Sequence, residues 1–296
     1  MSARVELFAN LTSTRYEPAE FAASAEAAGF DGVTCSDHYW LNDLFPHVWV
    51  SLAAMATATE RVTLAPSFIN NLFRSPFEFA QASASMQRLA GGRHEAGLGA
   101  GWTEGELTAT GQVYPDGPTR ARKYREALLI VRQLLATGCC DFEAEHYQMH
   151  VPELPGLAGV PVPLVASVGG TWTIRHITPI VDRVELKVIG RATRGGRLDL
   201  AVLGSIVEDE LLRMVDEVRE VREDIPIGLF LMVGAGTGAE VDGLRNALGD
   251  NLCGRFVGEP AKVLENLRSL ETIGISRIQV TEFAPGTIRN LGEELQ

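Results

Sequence analysis

Lysine is scarce in this chain: Lys123, Lys187 and Lys262 stand against 23 arginines. Acidic residues still outnumber basic ones, and the net charge of −12 repels a phosphate backbone from most of the surface, so nucleic acid is not an expected partner. Cysteine is also sparse. Cys35, Cys139, Cys140 and Cys253 show no zinc-ligand spacing, and the adjacent pair is awkward for a local disulfide, which points to reduced thiols. His47, His94, His146 and His150 add no ligand spacing either, and no metal is expected. No apolar run approaches the roughly 20 residues that span a bilayer. The opening MSARVELFAN enters a strand without an apolar export segment, so the expectation is a cytoplasmic protein with no membrane partner. No Gly-x-Gly-x-x-Gly opens a helix after the first strand, and a dinucleotide-binding Rossmann fold therefore lacks its fingerprint.

What the chain does have is a regular alternation of short apolar runs and helical periodicity. Strands are expected at Val5 to Ala9, Gly32 to Ser36, Val62 to Ala65, His94 to Leu98, Val162 to Val168, Arg183 to Ile189, Ile227 to Val233 and Arg277 to Thr281. Between them fall helices over Glu17 to Ala28, Pro46 to Thr59, Pro76 to Ala90, Pro118 to Ala136, Thr171 to Val181, Val207 to Val221, Gly238 to Leu248 and Pro260 to Ile273. The helix from Pro76 should bury Phe77, Ala80, Met86 and Leu89; that from Pro260 should turn Val263, Leu264, Leu267 and Leu270 inward. Eight strands alternating with helices suggest an α/β fold of the closed (β/α)8 TIM-barrel type, although an open doubly wound sheet gives much the same local pattern. Unusual residues at strand ends are spread along the whole chain, which suits a ring of loops sharing one mouth. Gly138 to Pro161 has no clear element and is placed as an excursion near the mouth, between strands four and five.

The densest signal is Arg61 to Trp102. Strand three breaks at Pro66-Ser67, and strand four empties into Gly97-Leu98-Gly99-Ala100-Gly101-Trp102, where missing side chains let a ligand approach the backbone. Strand two ends in Ser36-Asp37-His38, placing an imidazole that titrates near neutral pH at the mouth. Asp37 is expected to orient it, or else to cap the following turn. Strand five ends in Ser167-Val168-Gly169-Gly170-Thr171, a diglycine corner before a helix that suits an anion, with Arg175 and His176 able to add charge. Trp40 and Trp102 are candidate walls of a substrate pocket. Of the pair Glu104 and Glu106, Glu104 is assigned to that pocket, and Arg74 reads as a surface charge.

Ala28 to Val33 running into Ser36-Asp37-His38, then Gly91-Gly92-Arg93 with Gly97 to Trp102, then Val257-Gly258-Glu259-Pro260, together resemble the bacterial luciferase-like superfamily. The resemblance spans almost the whole chain in the expected order. It implies one TIM-barrel domain over 1–296, binding flavin mononucleotide (FMN) or the deazaflavin coenzyme F420 at the carboxyl ends of the strands, commonly as a homodimer. It makes His38 the proton-transfer residue with Asp37 beside it, and it puts a non-proline cis peptide near Ser67-Phe68, where a bulge props the ring. Pro66 just upstream departs from the usual pattern. Ser67, Phe68, Asn70, Gly99, Ser167, Gly169, Gly170 and Thr171 become the expected cofactor contacts. A second departure follows strand five: many relatives carry an Ala-Asp-Gly-Trp type sequence where this chain has Val181-Asp182-Arg183-Val184-Glu185-Leu186-Lys187. The single histidine of Ser36-Asp37-His38 tilts the expectation toward F420 and an oxidoreductase that moves a hydride to or from a small organic substrate. The alternatives are an FMN-dependent monooxygenase using oxygen and an inert flavin-binding barrel.

Overall fold

A computed structural model describes residues 4–41, 43–193 and 198–296. Nine strand segments form one continuous parallel path, and two of them, Thr63–Pro66 and Ile69–Asn70, are halves of a single strand. The barrel strands are thus β1 (Glu6–Leu11), β2 (Gly32–Cys35), β3 (Thr63–Pro66 continued by Ile69–Asn70), β4 (Ala96–Gly99), β5 (Leu164–Val168), β6 (Arg183–Leu186), β7 (Ile227–Ala235) and β8 (Arg277–Glu282). β8 pairs with β1, from Glu6↔Arg277 to Asn10↔Thr281. The ring closes across β3, whose first half pairs with β2 while its second half pairs with β4 through Ile69↔Leu98 and Asn70↔Gly99. A bridge between Leu64 and His94 seals the seam below. The closed barrel expected from the alternation is the one formed.

The helices form where local chemistry starts and stops them. Ser75 caps the helix Pro76–Leu89 by accepting from the Glu78 amide, and Pro76 takes its first position, where a missing N–H costs nothing. Asp116 caps Gly117–Thr137 in the same way, through the Thr119 amide, and Gly138 ends that helix in the left-handed region at φ 74°. The apolar faces pack on the outside of the sheet, with Phe79, Tyr124, Leu128 and Leu267 almost wholly buried. Phe77 is only half-buried, and Leu89 is 52% exposed. The inward stripe of that helix is Phe79, Ala80, Ser83, Met86 and Gln87, shifted around the axis from the one expected.

Several elements differ from expectation. β6 ends at Leu186, and Val188–Thr193 continues as 3-10 helix; the preceding helix stops at Ile177 before a short 3-10 turn that carries Pro179. Gly138 to Pro161 contains an antiparallel hairpin, Cys140–Glu143 with Gln148–Val151. It is rooted beside the carboxyl end of Gly117–Thr137 and contributes nothing to the wall of the large cavity described below. The insertion at the mouth is instead Trp102 to Asp116, which holds a six-residue helix, Glu104–Ala109. A final helix, Thr287–Leu295, also escaped the sequence reading.

Candidate active site

Parallel strands turn alternate side chains into the barrel, and in this chain much of the interior is polar. At the amino-terminal end, buried Arg277 on β8 is held by Glu95 and, at 2.9 Å, by Glu6. Its guanidinium lies 3.9 Å from the centre of the Phe8 ring. One layer up, Glu185 is fully buried and neither carboxylate oxygen has a hydrogen-bond partner among the described residues. Burial pushes its carboxyl up to about 7, although Arg277 and Arg183 pull the other way. In the top layer Thr34 Oγ1 donates to Asn10 Oδ1 and Asn10 Nδ2 to Thr281 Oγ1, each at 2.8 Å.

Above this lies a cavity of about 860 Å³ at the carboxyl ends of the strands, within the range of small-molecule and cofactor sites. Its wall brings together Asp37, His38, Ser67, Phe68, Asn70, Gly99, Trp102, Glu104, Ser167, Gly169, Gly170 and Thr171. Trp40, expected as a wall, is not among its lining residues: it pairs with Leu44 in an isolated bridge and is 38% exposed. Glu104 borders the cavity from its exposed rim.

His38 is positioned by a residue other than the expected one. Its Nδ1 lies 3.0 Å from Glu106 Oε2, and the other Glu106 oxygen accepts from the amides of Tyr39 at 2.6 Å and Trp40 at 3.1 Å. Burial would raise the Glu106 carboxyl, but hydrogen bonds from His38 and Thr103 hold it below the usual glutamate range, so it is an anion at neutral pH. Phe45 and Trp102 flank the imidazole edge-on, at 5.9 and 5.8 Å. Asp37 does not contact the His38 ring. Its carboxylate accepts from the Asn70 amide at 2.8 Å and forms a bidentate pair with Arg74, so Arg74 is a partly buried strut of the site and not a surface charge.

The peptide bond between Ser67 and Phe68 is cis, at the place the resemblance put it. Ser67 Oγ donates to Gln279 Oε1 on β8. The glycines of β4 accommodate this bulge: a Cβ at Gly97 would lie 2.3 Å from the Pro66 carbonyl oxygen, and one at Gly99 would lie 3.1 Å from Phe68 Cβ. A Cβ at Gly101 would fall 2.3 Å from Asn70 Oδ1, at a φ of +83°. The glycine run thus fits the protein's own backbone first, and only Gly99 and Gly101 also border the cavity.

At the diglycine corner the amides of Gly169 and Gly170 point at Thr173 Oγ1, 3.4 and 3.2 Å away. A side chain at Gly170 would meet nothing within 4 Å, so the corner is open above. Neither Arg175 nor His176 lines the cavity; His176 stacks on Trp172 with ring centres 4.3 Å apart. Among the described residues the basic side chains that do line it are Arg120, Lys187 and Arg191. Arg191 is neutralised by Glu210 at 2.7 Å, and Arg120 lies 4.2 Å over the Tyr114 ring. Sequence reasoning missed Glu106, Arg74 and Lys187; Lys187 was visible only as part of the departure after β5.

Known proteins resemble this chain in sequence and in fold. The chain is 29% identical over 209 residues to a protein of Amycolatopsis mediterranei named F420-dependent glucose-6-phosphate dehydrogenase, covering 69% of this chain and 59% of the relative. A protein of the same name from Kineococcus radiotolerans is 35% identical over 163 residues, 53% of this chain and 48% of its own length. The chain therefore matches only about half to three fifths of these relatives. An F420-dependent secondary alcohol dehydrogenase in complex with an F420-acetone adduct superposes with a TM-score of 0.76 at 17% identity, over 98% of both chains. The coenzyme F420-dependent tetrahydromethanopterin reductase of Methanopyrus kandleri superposes with a TM-score of 0.73 at 16% identity, over 99% and 98% of the two chains. At such identities the two structures speak for the fold. The profile of the luciferase-like monooxygenase family matches residues 9–183, and the chain belongs to that family.

Proposed function

We propose that this protein is an F420-dependent oxidoreductase that moves a hydride between the deazaflavin and a small organic substrate. The observation that carries the reading is the His38–Glu106 pair in the wall of the cavity. An ionised Glu106 against Nδ1 favours the tautomer with the proton on that nitrogen, which leaves the Nε2 lone pair free to take a proton from a ligand. The relatives named for F420 support the deazaflavin over FMN.

The residues present fit that cofactor. The diglycine corner leaves open space for an anionic group, Gly99 and Gly101 keep the wall low, and the Ser67-Phe68 bulge gives a planar ring a backing. Ser67, Phe68, Asn70 and Gly99 would hold the ring, and Ser167, Gly169, Gly170 and Thr171 the anionic tail. When bound, the deazaflavin supplies the hydride chemistry. The chain supplies the rest: Glu106 fixes the imidazole, Phe45 and Trp102 confine it, Arg74 and Asp37 brace the backbone at Asn70, and His38 Nε2 handles the substrate proton.

Fluorescence titration tests the reading. F420 should quench on binding and bind more tightly than FMN, and tighter binding of FMN would overturn the assignment. His38→Ala should keep F420 binding and slow turnover by roughly 10²–10⁴-fold. An unchanged rate would remove His38 from the chemistry.

A further inference from the structure

Lys187 is the first residue after β6, in the stretch that departs from the family pattern. Its side chain lines the cavity and its ammonium stands 4.5 Å above the Phe230 ring on β7. Among the described residues it has no hydrogen bond and no ion pair. Of the carboxylates that share the wall, Asp37 is paired with Arg74, Glu210 holds Arg191, Glu282 accepts from the Tyr16 hydroxyl at 3.1 Å and the Ile288 amide at 3.1 Å, and Glu104 stands on the exposed rim with no bond to the lysine. Burial lowers the Lys187 amine to about 8, and no carboxylate offsets it. A desolvated ammonium without a counter-ion is costly to a fold, and none of the packing described here requires one.

Its position gives direction to the inference. In a ring of eight strands, β6 is diametrically opposite β2, which carries His38. The lysine leans toward β7, whereas the diglycine corner lies on its other side, on β5. We propose that Lys187 binds an oxyanion of the substrate, a phosphate or a carboxylate, at the end remote from the carbon whose proton His38 handles. This rests on the oxidoreductase reading above and adds a substrate class to it: small molecules carrying one anionic group far from the reacting centre. The missing counter-ion of the free protein is then supplied by the ligand, and a neutral analogue leaves the ammonium unpaired.

The scarcity of lysine makes the test direct. Protein labelled with 13Cε-lysine should give three side-chain signals, from Lys123, Lys187 and Lys262, and Lys187→Arg identifies the one that disappears. Inorganic phosphate and, in a second series, acetate are titrated into the free protein and into protein saturated with F420. The expected result is a saturable movement of the Lys187 signal in both forms, with the other two still; the anion with the lower Kd names the preferred group. Lys187→Met should leave F420 affinity within about twofold and abolish the response. Three results would overturn the proposal: no saturable movement, movement in the free protein that F420 abolishes, or a tenfold or greater loss of F420 affinity in Lys187→Met. The last two would give the lysine to the cofactor's own anionic tail. If F420 fails to bind at all, the functional reading falls, while the titration of free protein still decides whether Lys187 is an anion site.

Discussion

Two cations inside this barrel have opposite surroundings. Arg277, near the amino-terminal end, is held by Glu95 and Glu6 and lies against Phe8. Lys187, near the carboxyl-terminal end, has an aromatic face and, among the described residues, no hydrogen bond or ion pair. One is a closed circuit that lets charged residues fill a barrel interior; the other is open on the side where a ligand enters. The contrast teaches that charge inside a barrel is not itself a sign of function. What marks a candidate site is a charge whose partner is missing in a place a ligand can reach.

The strongest way to break the contrast is to open the lower circuit. Arg277→Met should destabilise the protein by about 3–5 kcal/mol, because it strands Glu95 beside an already unpaired Glu185. Urea denaturation at neutral pH reads this, and a loss below about 1 kcal/mol would mean the floor is not a closed circuit. Next in size is Glu185→Gln. An acid whose folded pKa is raised contributes stability that is fully present below its unfolded value of 4.5 and is lost as pH rises toward about 7. The amide removes that loss, so the variant should exceed the parent by on the order of 1–3 kcal/mol at pH 8 and match it near pH 4. Equal stability at both pH values would show that Glu185 finds a partner.

Lys187→Met should have the smallest effect, and of the opposite sign to Arg277→Met. Here the folded pKa of a base is depressed from 10.5 to about 8, so the folded state is penalised below 8 and recovers as pH rises from 8 to 10.5. The variant should gain a few tenths to about 1 kcal/mol at pH 7 and converge with the parent above pH 10.5. A loss of stability at pH 7 would reveal a counter-ion for Lys187 within the protein.

Legibility from sequence followed the range of the interactions. The barrel was readable because eight apolar runs, each with its own helix, repeat a local pattern, and the polar strand ends sit where the fold must place them. The place of His38 at the cavity wall was readable because Ser36-Asp37-His38 is contiguous. Its actual partner, Glu106, is 68 positions away on a helix of six residues, too short to show periodicity. The role of Asp37 was misassigned for the same reason: its cation, Arg74, is 37 positions distant, and adjacency to His38 looked like the simpler connection. Trp40 lies outside the cavity wall, in a short bridge with Leu44 that has no compositional mark. The hairpin between residues 140 and 151 went unseen although both strands alternate apolar and polar residues, because each run is only four residues long and half exposed.

The delivery of Glu106 by the segment from Trp102 to Asp116, and not by a barrel strand, places the two halves of the His38–Glu106 pair on different parts of the molecule. The imidazole follows a barrel strand; its acidic partner rides on a segment that leaves and rejoins the barrel and grips it through the Tyr39 and Trp40 amides. Exchanging that segment would change the wall of the cavity and the partner of His38 together, leaving the glycine-bearing strands untouched.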